Sequence, residues 1–227
     1  MNQIEKNTVP SKNQLQDDRY VSFTNINGKG KRIMFVGNSM TLHGYKADIG
    51  WFGNWGMAAS AREKDYVHLT MENVKSVDPD AAFCICQVSD WERDYTHGQD
   101  TYEKFAAARA FEADIIILRM VENCPGKGYQ QQLFEDQVDG LVRDLDGGEK
   151  AKVIVTTGFW RHPADAALRG WAASHGAPLC DLGPLGELDE MKALGLFEHE
   201  GVAMHPGDKG MQAIADTIWT ELKSMLE

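Results

Sequence analysis

The sequence predicts an α/β fold: a parallel sheet with helices on both faces. Three observations predict it. Short apolar runs recur five times, at residues 32–36, 82–87, 114–119, 152–157 and 178–181. These runs are apolar almost throughout instead of alternating, as expected of strands buried on both sides. Segments with helical periodicity lie between them, and strand alternating with helix means parallel pairing through crossovers. The length of 227 residues, 43% hydrophobic and 25% charged, suits one sizeable core.

In chain order, residues 1–18 read as a polar, loosely held arm and residues 19–227 as one domain. Residues 20–26 alternate weakly, which fits a short strand or an extended lead-in, and residues 27–30 are turn chemistry. The run RIMFV at 32–36 ends at Gly37. Residues 40–56 carry four glycines with Trp51, Phe52 and Trp55, the composition of a structured loop. Ser60 followed by Glu63 makes a capping box, predicting a helix from 60 to about 74 that Pro79 stops. A similar start at Asp100 leads a helix to about 112. Helices are further expected over 129–145, over 163–175 with an early proline, and from near Pro206. The last has one apolar stripe of Met211, Ile214, Ala215, Ile218, Leu222 and Met225.

The balance of 23 basic against 34 acidic residues, net −11, opposes nucleic-acid and membrane partners. Residues 1–16 hold no apolar core of a signal peptide, and no apolar run approaches the roughly 18 residues of a membrane span. A cytoplasmic location is therefore expected. The four cysteines match no zinc spacing and are expected reduced and buried.

Ligands of open parallel sheets bind at the carboxyl ends of the strands. The first strand delivers Ser39 there, the third Arg119 to Asn123, the fourth Trp160, and the loop before the last helix His205. A serine, a histidine and an asparagine on one edge form an acyl-transfer set: nucleophile, base and oxyanion donor.

The stretches RIMFVGNS (32–39), NWGMAAS (54–60), Val121 to Asn123 and HPGDKG (205–210) resemble, in order, the blocks of the SGNH (GDSL-like) hydrolases. The resemblance implies a three-layer α/β/α, flavodoxin-like sheet of five parallel strands in the order 2-1-3-4-5. It also implies a serine esterase, with Ser39 as nucleophile and His205 as base. The oxyanion would be held by the Ser39 amide, the Ala58 amide (Ala59 as alternative) and the Asn123 side chain. Asn38 stands for the usual Asp, and Ala58 and Val121 stand where the family places glycine. Val202 occupies the position of the usual acid, leaving a Ser–His dyad or an atypical triad in which Glu198 or Glu200 substitutes.

No metal or organic cofactor is needed for this chemistry. The expected substrate is a small-molecule or oligosaccharide ester, with acetyl as the acyl group, because the aromatic-rich loops suit sugar rings and hold no long apolar groove. His43, Trp51, Trp55, Arg119 and Trp160 are the candidate substrate-binding residues. An acyltransferase or thioesterase using the same serine, and an impaired domain that only binds glycan, are the alternatives. A flavin or nucleotide binder fits poorly, since GNSMTLHG (37–44) is neither a dinucleotide fingerprint nor a P-loop.

Overall fold

The computed structural model describes residues 8–148 and 150–226. Its centre is a six-stranded sheet: β1 (Val21–Thr24), β2 (Arg32–Gly37), β3 (Ala82–Gln87), β4 (Ile115–Arg119), β5 (Lys152–Thr156) and β6 (Leu179–Cys180), in the order β1-β3-β2-β4-β5-β6. Strands β2 to β6 pair in parallel, whereas β1 pairs antiparallel with β3, from Val21 opposite Cys86 to Thr24 opposite Phe83. The sheet is therefore mixed and six-stranded, a correction to the all-parallel, five-stranded expectation. The extra strand covers the β3 edge, whose unpaired backbone groups would otherwise stay open.

What fixes β1 lies in the stretch expected to be loose. Asp18 Oδ1 accepts from the Tyr20 and Val21 amides at 2.6 and 2.8 Å, and Asp17 Oδ1 accepts from Phe23 N at 2.7 Å. Lys12 pairs with Glu112 at 2.9 Å, and the Asn13 side chain accepts from Arg32 at 3.2 Å. Residues 1–7 of the expected arm lie outside the described residues.

Eight α-helices complete the described fold: α1 (Tyr66–Lys75), α2 (Ser89–Arg93), α3 (Ala106–Arg109), α4 (Gln131–Asp146), α5 (Asp165–His175), α6 (Gly183–Gly186), α7 (Glu200–Ala203) and α8 (Asp208–Leu222). Because side chains alternate along a strand, each buried strand supplies two cores. Met34, Val36, Ile116 and Leu118 face α4 and α5, through Phe134, Leu141 and Leu168. Ile33, Phe35, Ile115 and Ile117 face α1 and α8, through Tyr66, Met71, Ile214 and Ile218. Truncating a wholly buried residue such as Ile117 to alanine would cost about 2–5 kcal/mol. The four cysteines are free and buried.

Two predicted helix starts are corrected. Ser60 caps nothing: its amide and hydroxyl both donate to Asp208, at 2.8 and 2.7 Å, tying the loop to the start of α8. The first full helix, α1, starts six residues later, where buried Asp65 accepts from the His68 amide at 2.7 Å. The helix expected over 100–112 is mostly a 3-10 run, Tyr95–Phe105, followed by the short α3. The five residues of α2 were not foreseen at all.

Candidate active site

Ser39 sits in the tight turn that leaves β2. The Thr41 and Leu42 amides both donate to the Asn38 carbonyl, at 2.9 and 3.0 Å. This turn requires glycine at 37, because a Cβ there would fall 1.9 Å from Thr41 Oγ1. His205 stands between α7 and α8. Across 166 residues of chain, Ser39 Oγ and His205 Nε2 meet at 2.8 Å.

The other ring nitrogen, Nδ1, lies 2.7 Å from the Gly201 carbonyl oxygen. A carbonyl only accepts, so Nδ1 carries the proton and Nε2 is left to accept from the serine hydroxyl. Among the described residues no carboxylate bonds to the imidazole: Glu198 and Glu200 are exposed and make no bond to it. Val202 is buried in an apolar cluster with Trp51, Met57, Ala58 and Ala193, a place where an ionised acid would be poorly solvated. The Trp160 and His205 rings make a T-shaped contact, with centroids 5.0 Å apart and planes at 89°. Burial pushes the His205 pKa down to about 4, against the opposing pull of the Gly201 carbonyl and Glu122.

The expected oxyanion donors are the Ser39 and Ala58 amides and the Asn123 side chain, and Ser39, Asn123 and His205 line one cavity. The Ser39 and Ala58 amides make no hydrogen bond within the described residues, while the Ala59 amide is spent on the Gly56 carbonyl at 3.2 Å. Ala58 therefore fits the donor role better than its neighbour. Its φ is +75° and that of Val121 is +131°. Both positions keep a backbone that favours glycine although the residue is not glycine. Asn123 donates one Nδ2 hydrogen to Glu92 Oε2 at 2.6 Å.

Beneath these donors lies a charged cluster that sequence reasoning largely missed. Arg119 and Glu92 are wholly buried. Asn38 Nδ2 donates to Glu92 Oε1 at 2.9 Å and to Glu122 Oε2 at 2.6 Å, while Asn38 Oδ1 accepts from Arg119 at 2.8 Å. Arg119 also pairs with Glu122, and the Val121 amide donates to Glu92. Burial pushes the Glu122 carboxyl up, but Arg119 and Asn38 leave it below the usual carboxylate range. Burial, then the neighbouring Glu122, push Glu92 up to about 7. The only signal for Glu92 in the sequence was an acid next to Trp91 just past a strand, which an ordinary surface turn gives equally well.

A cavity of about 950 Å³ opens over this edge, with Ser39, His43, Tyr45, Asn123 and His205 among its walls. Four expected substrate contacts do not line it. Trp51 is buried against Trp55 and Phe197, its indole N–H held by the His43 carbonyl at 2.9 Å. Trp55 donates to the Ala59 carbonyl at 3.0 Å. Arg119 is consumed by the carboxylate cluster, and Trp160 packs on His205 instead. Large rings gain most by burial, which is why Trp51 and Trp55 brace the loop and not the opening. Tyr45 and Phe52, at 67% and 69% exposed, form the outward aromatic pair of that loop, with centroids 5.7 Å apart.

No protein-family model matches this chain, and no curated protein matches it in sequence. Solved structures do share its fold. A two-domain esterase active on acetylated mannans, co-crystallised with mannopentaose, superposes with a TM-score of 0.57 at 18% identity, covering 88% of this chain and 50% of that one. This chain thus spans half the length of that protein. A lipase/acylhydrolase from Enterococcus faecalis gives 0.57 at 15% identity, over 87% and 97% of the two chains. An acetyl xylan esterase gives 0.54 at 18% identity, over 83% and 98%.

Proposed function

We propose that this chain is a serine ester hydrolase of the SGNH (GDSL-like) type, acting on a small acyl ester, acetyl, of a carbohydrate. The observation that carries the reading is the 2.8 Å contact between Ser39 Oγ and His205 Nε2, with Nδ1 turned to a carbonyl. Ser39 Oγ bonds to the ester carbonyl carbon as its proton passes to Nε2, and the carbonyl electron pair becomes an oxyanion. The Ser39 and Ala58 amides and the Asn123 amide group hold that charge, each worth about 3–4 kcal/mol in the transition state. Collapse breaks the bond to the alcohol oxygen, which takes the proton from His205. Water then repeats the sequence on the acyl-enzyme.

Two further observations support the dyad and the sugar. The Gly201 carbonyl does the orienting that an acid does elsewhere, so Val202 at the acid position leaves the imidazole correctly aimed. Tyr45 and Phe52 offer exposed rings beside a cavity lined with polar residues, a surface on which the apolar face of a sugar ring can lie. The neighbours in fold that act on acetylated mannans and acetyl xylan point the same way.

The test is labelling with a serine-directed fluorophosphonate and hydrolysis of p-nitrophenyl acetate against a long-chain ester. Wild-type protein is expected to label at Ser39 and prefer acetate, and Ser39→Ala to do neither. Hydrolysis surviving in Ser39→Ala would end the mechanism.

A further inference from the structure

We propose that Glu92 is the positioning residue of the oxyanion site, fixing the Asn123 amide and the Val121 backbone from below, and that Asn38 is its matched partner. The inference rests on the esterase reading above.

Asn123 has two N–H donors on one nitrogen. One is taken by Glu92 Oε2 at 2.6 Å, which leaves the other for a ligand. A carboxylate only accepts, so an amide rotated to present its oxygen to Glu92 is rejected. Charge-assisted bonds of this kind are about twice as strong as neutral ones. The same carboxylate accepts the Val121 amide, at a residue whose φ of +131° is costly for a β-branched side chain. Glu92 thus anchors both ends of the turn 121–123 that carries the donor.

Asn38 makes this possible. Both hydrogens of its nitrogen go to carboxylates, one to Glu92 and one to Glu122, and its oxygen takes Arg119 and, at 3.3 Å, the Met40 amide. An aspartate at 38 would be a third acid facing these two, with a single guanidinium among them. The asparagine before the nucleophile is the residue that two buried glutamates demand.

The groups facing Glu92 from other elements are Glu122, Arg119 and Cys124 from β4 and the turn after it, and uncharged Asn38 from the end of β2. Asp90 and Arg93 of its own helix pair with each other, and both line the cavity. Ionisation of Glu92 in the neutral range switches it from a mixed donor and acceptor to a pure acceptor, locking Asn123.

The experiment measures p-nitrophenyl acetate hydrolysis by the full chain from pH 5 to 9, for wild type, Glu92→Gln, Asn38→Asp, the double variant and Asn123→Ala. Glu92→Gln is expected to lower kcat about 10- to 100-fold with little change in KM. It should also slow fluorophosphonate labelling of Ser39 in proportion, and erase a wild-type inflection near pH 7. Asn38→Asp should lose activity, and adding Glu92→Gln to it should restore part. The inference is overturned if Glu92→Gln keeps wild-type kcat and the same inflection. If Glu92→Gln does not fold, an inflection that persists in Asn123→Ala overturns it equally. A wild type that neither hydrolyses nor labels defeats the esterase reading itself, whereas an active wild type with an indifferent Glu92 defeats only this one.

Discussion

The surroundings of His205 and of Asn123 are built on opposite plans. His205 is oriented by a single backbone carbonyl and stands beside an indole, with an apolar cluster under the neighbouring Val202. Asn123 rests on two buried carboxylates, an arginine and a second asparagine. On the proposed mechanism, the fixed charge that a Ser-His-Asp triad keeps behind its imidazole lies here behind the proposed oxyanion donor, Asn123. Orientation and charge are separable needs. A neutral base requires only the correct tautomer, which a carbonyl supplies, while a donor aimed at a developing anion gains from a rigid, charged anchor.

His205→Ala should lower kcat by roughly 10⁴-fold or more, since nucleophile and base act as a unit. Asn123→Ala should cost about 10²- to 10³-fold, the usual loss for one oxyanion donor. Steady-state kinetics on p-nitrophenyl acetate check both, and equal losses would break the asymmetry.

Placing an acid where triads keep one tests the imidazole side. Val202→Asp should destabilise the fold by about 3 kcal/mol, because the carboxylate enters an apolar cluster without a partner. Urea unfolding reads this directly. A variant as stable as wild type and faster would show that the surroundings of His205 accept charge after all.

The pH dependence sharpens the contrast further. With the His205 pKa near 4, the acid limb of kcat/KM should fall near pH 4 and not near 6.5. Trp160→Ala, which admits water to the ring, should move that limb upward. The sign for stability follows from the same shift. The unfolded chain takes up the His205 proton from about pH 6.5 downward while the folded chain resists until about 4, so stability present above 6.5 is lost as pH falls through that window. A limb near 6.5 that survives in Glu92→Gln, where the Glu92 inflection is gone, would mean the imidazole is solvated.

The smallest effect concerns the oxyanion loop. Ala58→Gly relieves a left-handed φ of +75° while loosening the unfolded chain, for a net gain of at most about 1 kcal/mol. A rise in Tm of about 2–4 °C with activity retained is expected. A large loss of activity would show that the Ala58 methyl, and not only its amide, shapes the site.

The strands were legible because each is an apolar run, and no solvent-facing pattern fits residues such as 115–118. What pairs with their outer edge was not legible. Residues 21–24 pair with β3 because Asp17 and Asp18 hold their amides, and a weakly alternating stretch carries no mark of direction. The capping box at Ser60 failed because Asp208, 148 residues away, outcompeted the local amide for the hydroxyl. Among the site residues, Ser39, Asn123 and His205 could be picked out from motif order. Trp51, Trp55, Arg119 and Trp160, expected at the substrate, lie outside the cavity lining, because a sequence does not say which neighbours a loop ring or a strand-end charge will meet.

By itself the sequence determined the buried strands and helices, through apolar runs and periodicity, and it set the serine and the histidine at opposite ends of the chain. Only the tertiary structure decided what each of them touches. Glu92 beneath Asn123 and Asn38 between two glutamates are contacts between segments whose separation along the chain carries no signal. Their energies come from burial and hydrogen-bond geometry, which exist only after the sheet has brought its strand ends to one edge.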